Sequence, residues 1–423
     1  MNHYSAISRA VARVRETFTG EDARVAAIFE NCIGDTLEKT VKVFGDGEIY
    51  VLTGDIPAMW LRDSACQLRP YVRFAREEPG IEAILTGLIE KQAECMLHDP
   101  YANAHNLPGM ASIWTTDRTE MKDGIWERKY EIDSLCHPIH LAWSLWKGAG
   151  TTAQFTPRWK RAAEVMIETV MTEQYHETRS AYTFERKDCV FTDTLSRDGR
   201  GALVKDGIGM TWSGFRPSDD ACVYGYFVPG NMFAAVALEH IAEIAREVYR
   251  DSGLSARASE LSAQIREAIA KYAVVPCVEK PYYAYEVDGF GQYLVMDDAN
   301  IPSLLSMPLL GWCAPDDEMY LNTRAVILSD QNPCYYRGKY LRGIGSPHTP
   351  ANQVWDIALA VQGLTSTDRQ EQIDCVRMMA ENDAGTGMMH ESVHVDDPER
   401  YTRPWFSWAN AMFCELVMRC CGL

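Results

Sequence analysis

One pattern constrains this chain more than any other. Apolar residues recur at helical spacing along nearly its whole length, with no linker to divide it. Ile7, Val11, Val14 and Phe18 share a helical face near the start. Val25, Ile28, Phe29, Cys32, Ile33 and Leu37 do so within 22–44, and Ile84, Leu85, Leu88, Ile89 and Cys95 within 82–97. The same periodicity predicts helices over 133–148, 158–173, 231–250, 257–273, 317–329, 353–364, 369–381 and 403–421. Asn231, just after Pro229-Gly230, is placed to cap a helix whose face carries Phe233, Val236, Ala237, Ile241 and Ile244. Weak alternation at 48–53, 182–191 and 282–287 reads as hairpins on loops. So many amphipathic helices bury their faces only by packing as a closed array. The expectation is one all-α domain over 1–423, a toroid of helix pairs with long loops building a site at one end. No repeat of fixed period sets the number of pairs.

Composition narrows the partners. The 423 residues include 41 Lys and Arg against 59 Asp and Glu, a net charge of −18. That balance argues against nucleic acid or an anionic membrane surface, both of which need a basic face. No apolar run nears the ~18 residues of a transmembrane helix. The Arg-rich start resembles neither a signal peptide nor, given its helical face, a transit peptide, although the latter remains the minor alternative. Thirteen cysteines, an odd number without CxxC pairing, read as reduced and mostly buried thiols. A cytoplasmic protein is the resulting expectation. The sequence carries no reading of oligomeric state.

Chemistry concentrates in loops rich in acids, Arg and Trp. In 53–64, Trp60 offers a flat apolar face for a sugar ring, and Arg62 and Asp63 offer a donor and an acceptor for vicinal hydroxyls. The plain reading of the same residues is a helix start, with Asp63 as N-cap and Trp60 as a core plug. In 126–133, Trp126 and Tyr130 fit a polyol cleft, but five charges among seven residues also fit a solvated face. In 211–220, Asp219-Asp220 follows an aromatic loop containing Arg216. One alternative makes Ser218 an N-cap with both aspartates in the first helical turn, where they diverge by about 100°. In 403–413, Trp405 and Trp408 either roof a sugar site or simply pack.

The segment 385–398 contains His390-Glu391-x-x-His394, letter for letter the zinc-peptidase pattern. That pattern works only on a helix, where residues four apart put both imidazoles on one metal. Gly385 and Gly387 before it, Val393 and Val395 within and after it, and Asp396-Asp397-Pro398 all oppose a helix.

The strings TGDIPAMWLRDS, WERKYEIDSLCHP, MTWSGFRPSDDA and GTGMMHESVHVDDPERYTRPWFSWANAMFCEL together resemble glycoside hydrolase family 125, from about residue 24 to 418. The resemblance implies an (α/α)₆ barrel and exo-acting release of non-reducing-end α-1,6-linked mannose with inversion, without metal or other cofactor. It places the base at Glu391 and the acid in Asp219-Asp220, of which Asp220 is preferred. Asp219, Trp60, Arg62, Asp63, Arg216, Asp297, Asp298, His348, His390 and Trp408 are then candidates for holding the terminal mannose. The implied partner is a mannose-containing oligosaccharide such as an N-glycan or mannan fragment. An inverting pair needs its carboxyls about 6.5–9.5 Å apart to admit a water, which acids from two distant loops can satisfy. The rival readings are a zinc metallopeptidase and a non-catalytic mannoside-binding protein.

Overall fold

The computed structural model describes residues 4–45, 47–276 and 279–423. Its helices are of two kinds, and the two alternate along the chain. Those of one kind are buried nearly all round: Leu61–Leu68 has all eight residues buried, and Val228–Ile244 exposes only Glu239 and Glu243. Ile132–Ala149, Asp356–Leu364 and Ser407–Cys420 belong with them. Helices of the other kind bury a single stripe, as Ser252–Tyr272 does through Leu254, Ala258, Leu261, Ile265 and Ile269. Ala23–Asp35, Pro79–His98, Pro157–Glu173, Glu318–Ile327 and Arg369–Glu381 are of this outer kind. All-round burial marks an inner helix and a single stripe an outer one, so the alternation winds the chain into two concentric layers.

The inner ring closes. Leu61–Leu68 lies between Ile132–Ala149 and Ser407–Cys420; the first of these packs on Val228–Ile244 and the second on Asp356–Leu364. The sixth inner position is filled by buried turns containing Ile301, Leu304, Leu305 and Leu310 rather than by a helix. The architecture is an (α/α)₆ barrel. The predicted first helix is Ser5–Thr17, packed on Ala23–Asp35.

Several predicted ends move. Periodicity over 22–44 stops at Asp35; a π-turn at Thr36–Thr40 then leads into a hairpin, Val41–Phe44 with Glu48–Val51. Asn231 does not cap. It lies inside Val228–Ile244, and its amide bonds the main chain of Thr211 in both directions. No hairpin forms over 182–191, where Glu185 makes one isolated bridge to Arg118; 282–287 divides between two small sheets. Twelve cysteines are free, ten of them buried, and Cys277 lies outside the described residues. Among the described residues no helix is long and apolar enough to cross a membrane.

Candidate active site

Inner helices begin at the end of the barrel where the small sheets lie, and the residues just before them build a cavity. Trp60 precedes Leu61–Leu68, Trp355 precedes Asp356–Leu364, and Phe406 precedes Ser407–Cys420. These three rings, with Trp408, wall a cavity of about 200 Å³. That is below the ~300–1,000 Å³ of drug-sized ligand sites and suits one small polar ring. Its polar wall holds Arg62, Asp63, Asp219, Asn300, His348, Glu391 and Arg403.

Backbone joins the two ends of the chain here. Asp55 N–H donates to Trp405 O (3.1 Å) and Ser407 N–H to Thr53 O (3.1 Å). Gly54 makes the approach possible: its φ is 141°, and a Cβ there would meet Trp405 O at 2.3 Å. Arg403, held by Asp55 (2.9 Å), lies over Phe406 and reaches within 3.8 Å of Glu391.

Asp219-Asp220 is not at a helix start. The segment turns back on itself, with Asp219 N–H donating to Arg216 O and Arg216 N–H to Asp220 O, and Asp219 takes a φ of 64°. Asp tolerates that left-handed conformation better than most residues. The consequence for the two carboxylates is opposite. Asp219 keeps a quarter of its side chain exposed at the cavity wall. Asp220 is buried behind His348, whose Nδ1 lies 3.1 Å from its Oδ1. His348 is thereby held as a cation: desolvation would lower it, but the hydrogen bond and the charges of Asp220, Glu391 and Asp219 carry it up to about 9.

Arg62 is the electrostatic hub. Its guanidinium lies 2.5 Å from Glu131, 3.3 Å from Asp63, 3.4 Å from Asp133 and 3.5 Å from Asp219. Burial pushes Glu131 well up despite Arg62, and takes Asp133 up to about 6. Burial alone would raise Asp219 as well, but a hydrogen bond with Glu131 and the charges of Arg62, Lys129 and His348 hold it below the usual carboxylate range.

Seven of the residues singled out from sequence therefore meet at one cavity: Trp60, Arg62, Asp63, Asp219, His348, Glu391 and Trp408. Five do not line it. Asp220 is turned away as described. Arg216 is pinned at 2.5 Å by buried Glu286 and faces a separate apolar hollow. Asp297 braces a turn through the N–H groups of Leu304 and Leu305. Asp298 accepts from Asn300 and Ser346, and Ser346 in turn accepts from the His348 N–H, so it positions two wall residues without reaching the cavity. His390 stacks on Tyr401, with its ring nitrogens near Arg403 O (3.2 Å) and Thr386 (3.1 Å). In each case the side chain is engaged by neighbours outside the cavity wall or turned behind it. Trp126 and Tyr130 also miss the cavity; the first packs beneath Trp60 and the second lies in a buried aromatic cluster.

His390 precedes a strand, Ser392–His394, which pairs with Gln353–Val354 and Asp397–Thr402. The helix a zinc-peptidase pair needs is absent. Among the described residues no group of three or more His, Cys, Asp or Glu side chains is placed to hold a metal ion. Sequence reasoning missed Asn300, Trp355 and Arg403. Only Arg403 stood inside a distinctive string.

Fold and site together define a helical-barrel glycoside hydrolase. The family model for metal-independent alpha-mannosidases (GH125) matches residues 22–418. The Meiotically up-regulated gene 157 protein of Schizosaccharomyces pombe is 38% identical over 440 residues, covering 98% of this chain and 86% of that protein. A Streptococcus pneumoniae protein from a family of metal-independent alpha mannosidases, solved in a non-productive complex with alpha-1,6-mannobiose, superposes with a TM-score of 0.95. It is 44% identical, with 99% of this chain and 98% of that chain covered. A bacterial glucoamylase complexed with acarbose shares the fold alone, at 11% identity and a TM-score of 0.56 over 86% of this chain and 49% of that one. The chain belongs to glycoside hydrolase family 125, the metal-independent α-mannosidases.

Proposed function

We propose that this α-mannosidase is exo-acting, removes non-reducing-end α-1,6-linked mannose, and inverts the anomeric centre, with Asp219 as acid and Glu391 as base. One observation carries the reading: the carboxylates of Asp219 and Glu391 come from separate loops and line one small cavity walled by Trp60 and Trp408. The cavity admits a terminal sugar rather than a chain interior, which favours exo action. The linkage is supported by the alpha-1,6-mannobiose found in the S. pneumoniae relative. Asp219 replaces Asp220 as the preferred acid because only its carboxylate faces the cavity.

In this mechanism the mannose ring stacks on the tryptophans, and Arg62, Asp63 and His348 engage its hydroxyls. The C1–O bond breaks as Asp219 protonates the leaving oxygen. Water attacks C1 from the opposite face and gives its proton to Glu391. The product first formed is β-mannose.

A ¹H NMR time course on a synthetic α-1,6-mannobiose tests this. We expect β-mannose first, mutarotating afterwards, at a rate unchanged by EDTA. Glu391→Gln is expected to lower kcat by ~10²–10⁴-fold with binding retained. First-formed α-mannose, or binding without turnover, refutes the mechanism.

A further inference from the structure

The carboxylates around Arg62 outnumber the cations that could neutralise them. Glu131, Asp133 and Asp63 are all buried to 5% exposure or less, and with Asp219 they share one guanidinium. Lys129 also acts on Asp219, but it is shared with other acids. Its ammonium pairs with Asp193, lies 3.8 Å from Glu127 and donates to the main-chain carbonyl of Asp219 rather than to its carboxylate. Arg186 is likewise taken up by Asp117, Glu127 and Asp193. Four carboxylates within 3.5 Å of one buried guanidinium cost several kcal/mol for each charge left uncompensated, which favours retention of a proton in the cluster.

The geometry says where. The carboxylates of Glu131 and Asp219 converge on the Arg62 guanidinium, at 2.5 and 3.5 Å. Two buried carboxylates brought to one site repel each other when both are ionised, and a proton held between them relieves the pair. Asn103 fixes the pair from one side, its Nδ2 lying 3.4 Å from Glu131 and 3.2 Å from Asp219. Glu131 itself is anchored by Arg62 and by the Ser134 hydroxyl (3.0 Å), and it is not part of the cavity wall.

We infer that Glu131 and Asp219 hold one proton between them, and that Glu131 is the positioning residue that supplies Asp219 with its acidic proton. The inference rests on the reading of Asp219 as the acid. When the glycosidic C1–O bond breaks, the shared proton moves fully onto Asp219 and from it to the leaving oxygen, which leaves both carboxylates ionised. The pair regains a proton from solvent after the product leaves, while Glu391 releases the one it took from water. The charges facing the pair are Arg62, Lys129 and His348 on the positive side, and Asp63, Asp133 and Glu127, which accepts from the same Asn103 Nδ2 at 3.0 Å, on the negative. Without Glu131 the cations dominate, and Asp219 ionises at a lower pH.

The test is Glu131→Gln, read as kcat/KM against pH on an unactivated α-mannoside and on 2,4-dinitrophenyl α-mannoside, whose leaving group needs no proton. We expect the basic limb on the unactivated substrate to move down by about 1–3 pH units, with the activated substrate hydrolysed within a few-fold of wild type. An unmoved basic limb, or equal losses on both substrates, overturns the inference. His348 also titrates at alkaline pH, but it keeps its Asp220 partner in the variant, so its own limb would stay in place. If Glu131→Gln does not fold, Glu131→Asp is read the same way, because the shortened side chain breaks the contact while retaining an acid. Asp219→Asn separates the two readings. Selective loss on the unactivated substrate upholds Asp219 as the acid whatever Glu131 does, and full activity removes the acid assignment itself.

Discussion

Replacing Arg62 by Met removes the one cation that four carboxylates share, and the structure sets the size and pH dependence of the effect. Arg62 is 3% exposed and Asp133 is fully buried, with Asp133 Oδ1 lacking any hydrogen-bond partner. Removing one partner of a buried ionic cluster typically costs ~3–5 kcal/mol, and that is the expected loss at pH 8. Protonation can offset it. Burial already takes Asp133 from 3.8 up to about 6, against the lowering effect of Arg62. A carboxyl whose folded pKa is raised binds more protons folded than unfolded, so its contribution to stability falls as pH rises between the two values. Without Arg62 the folded value rises further and the window extends above pH 6. The deficit relative to wild type should therefore be small at pH 5 and grow toward pH 8, by at most ~1.4 kcal/mol per pH unit for each group titrating. Urea unfolding at pH 5, 6, 7 and 8 measures this directly. A deficit of the same size at every pH, or none at pH 8, would show that Arg62 does not compensate buried anions.

Two further substitutions probe the site's construction. Gly54→Ala should destabilise by ~1–3 kcal/mol, because its Cβ would meet Trp405 O at 2.3 Å. It should also lower kcat/KM by loosening the strap that carries Arg403 and Phe406; unchanged urea midpoint and kinetics would refute both. Asp220→Asn should leave far more activity than Asp219→Asn and move the His348 titration down from about 9, since His348 loses its hydrogen-bonded anion; an NMR titration of the His348 ring checks the shift, and equal loss of activity in the two variants would restore Asp220 as the acid.

Outer helices were legible because each shows the solvent one polar face, so 158–173 and 369–381 are read to within a residue or so. Leu61–Leu68 was legible only as a possible helix start. All eight of its residues are buried, and LRDSACQL mixes Leu with Arg, Asp, Ser and Gln, so its polar letters give no surface stripe. Periodicity predicts one helix over 22–44, but β-branched Val41 and Val43 continue the chain as a strand, a change that periodicity alone does not mark. The active site was legible as strings but not as directions. Asp219 and Asp220 are adjacent letters, and the left-handed turn that faces one to the cavity and the other to His348 has no mark in the local sequence. Glu131 lay in a string that read as a solvated face. Its partners Arg62, Asn103 and Asp219 come from three other segments, and only folding brings them together.

The barrel explains why so many acids collect at one end. The inner helices starting at Leu61, Asp356 and Ser407 begin at the cavity and that at Ile132 beside Arg62, and none has a side-chain hydrogen bond from its N-cap residue. Those N-cap positions hold Trp60, Glu131, Trp355 and Phe406 instead. A set of helix starts at one end presents positive dipole ends. Asp63, Asp133 and Asp356 sit in the first turns, where that field favours carboxylates. Burial pushes Asp63, Asp133 and Asp356 up against that field, whereas Asp219 at the cavity, despite its own burial, is held low by Glu131 and the charges of Arg62, Lys129 and His348. A glycosidase acid must nevertheless carry a proton at working pH. Crowding carboxylates around Arg62 until one proton must stay is a physical solution to that conflict, and it assigns to Glu131 a function that its place outside the cavity wall would otherwise conceal.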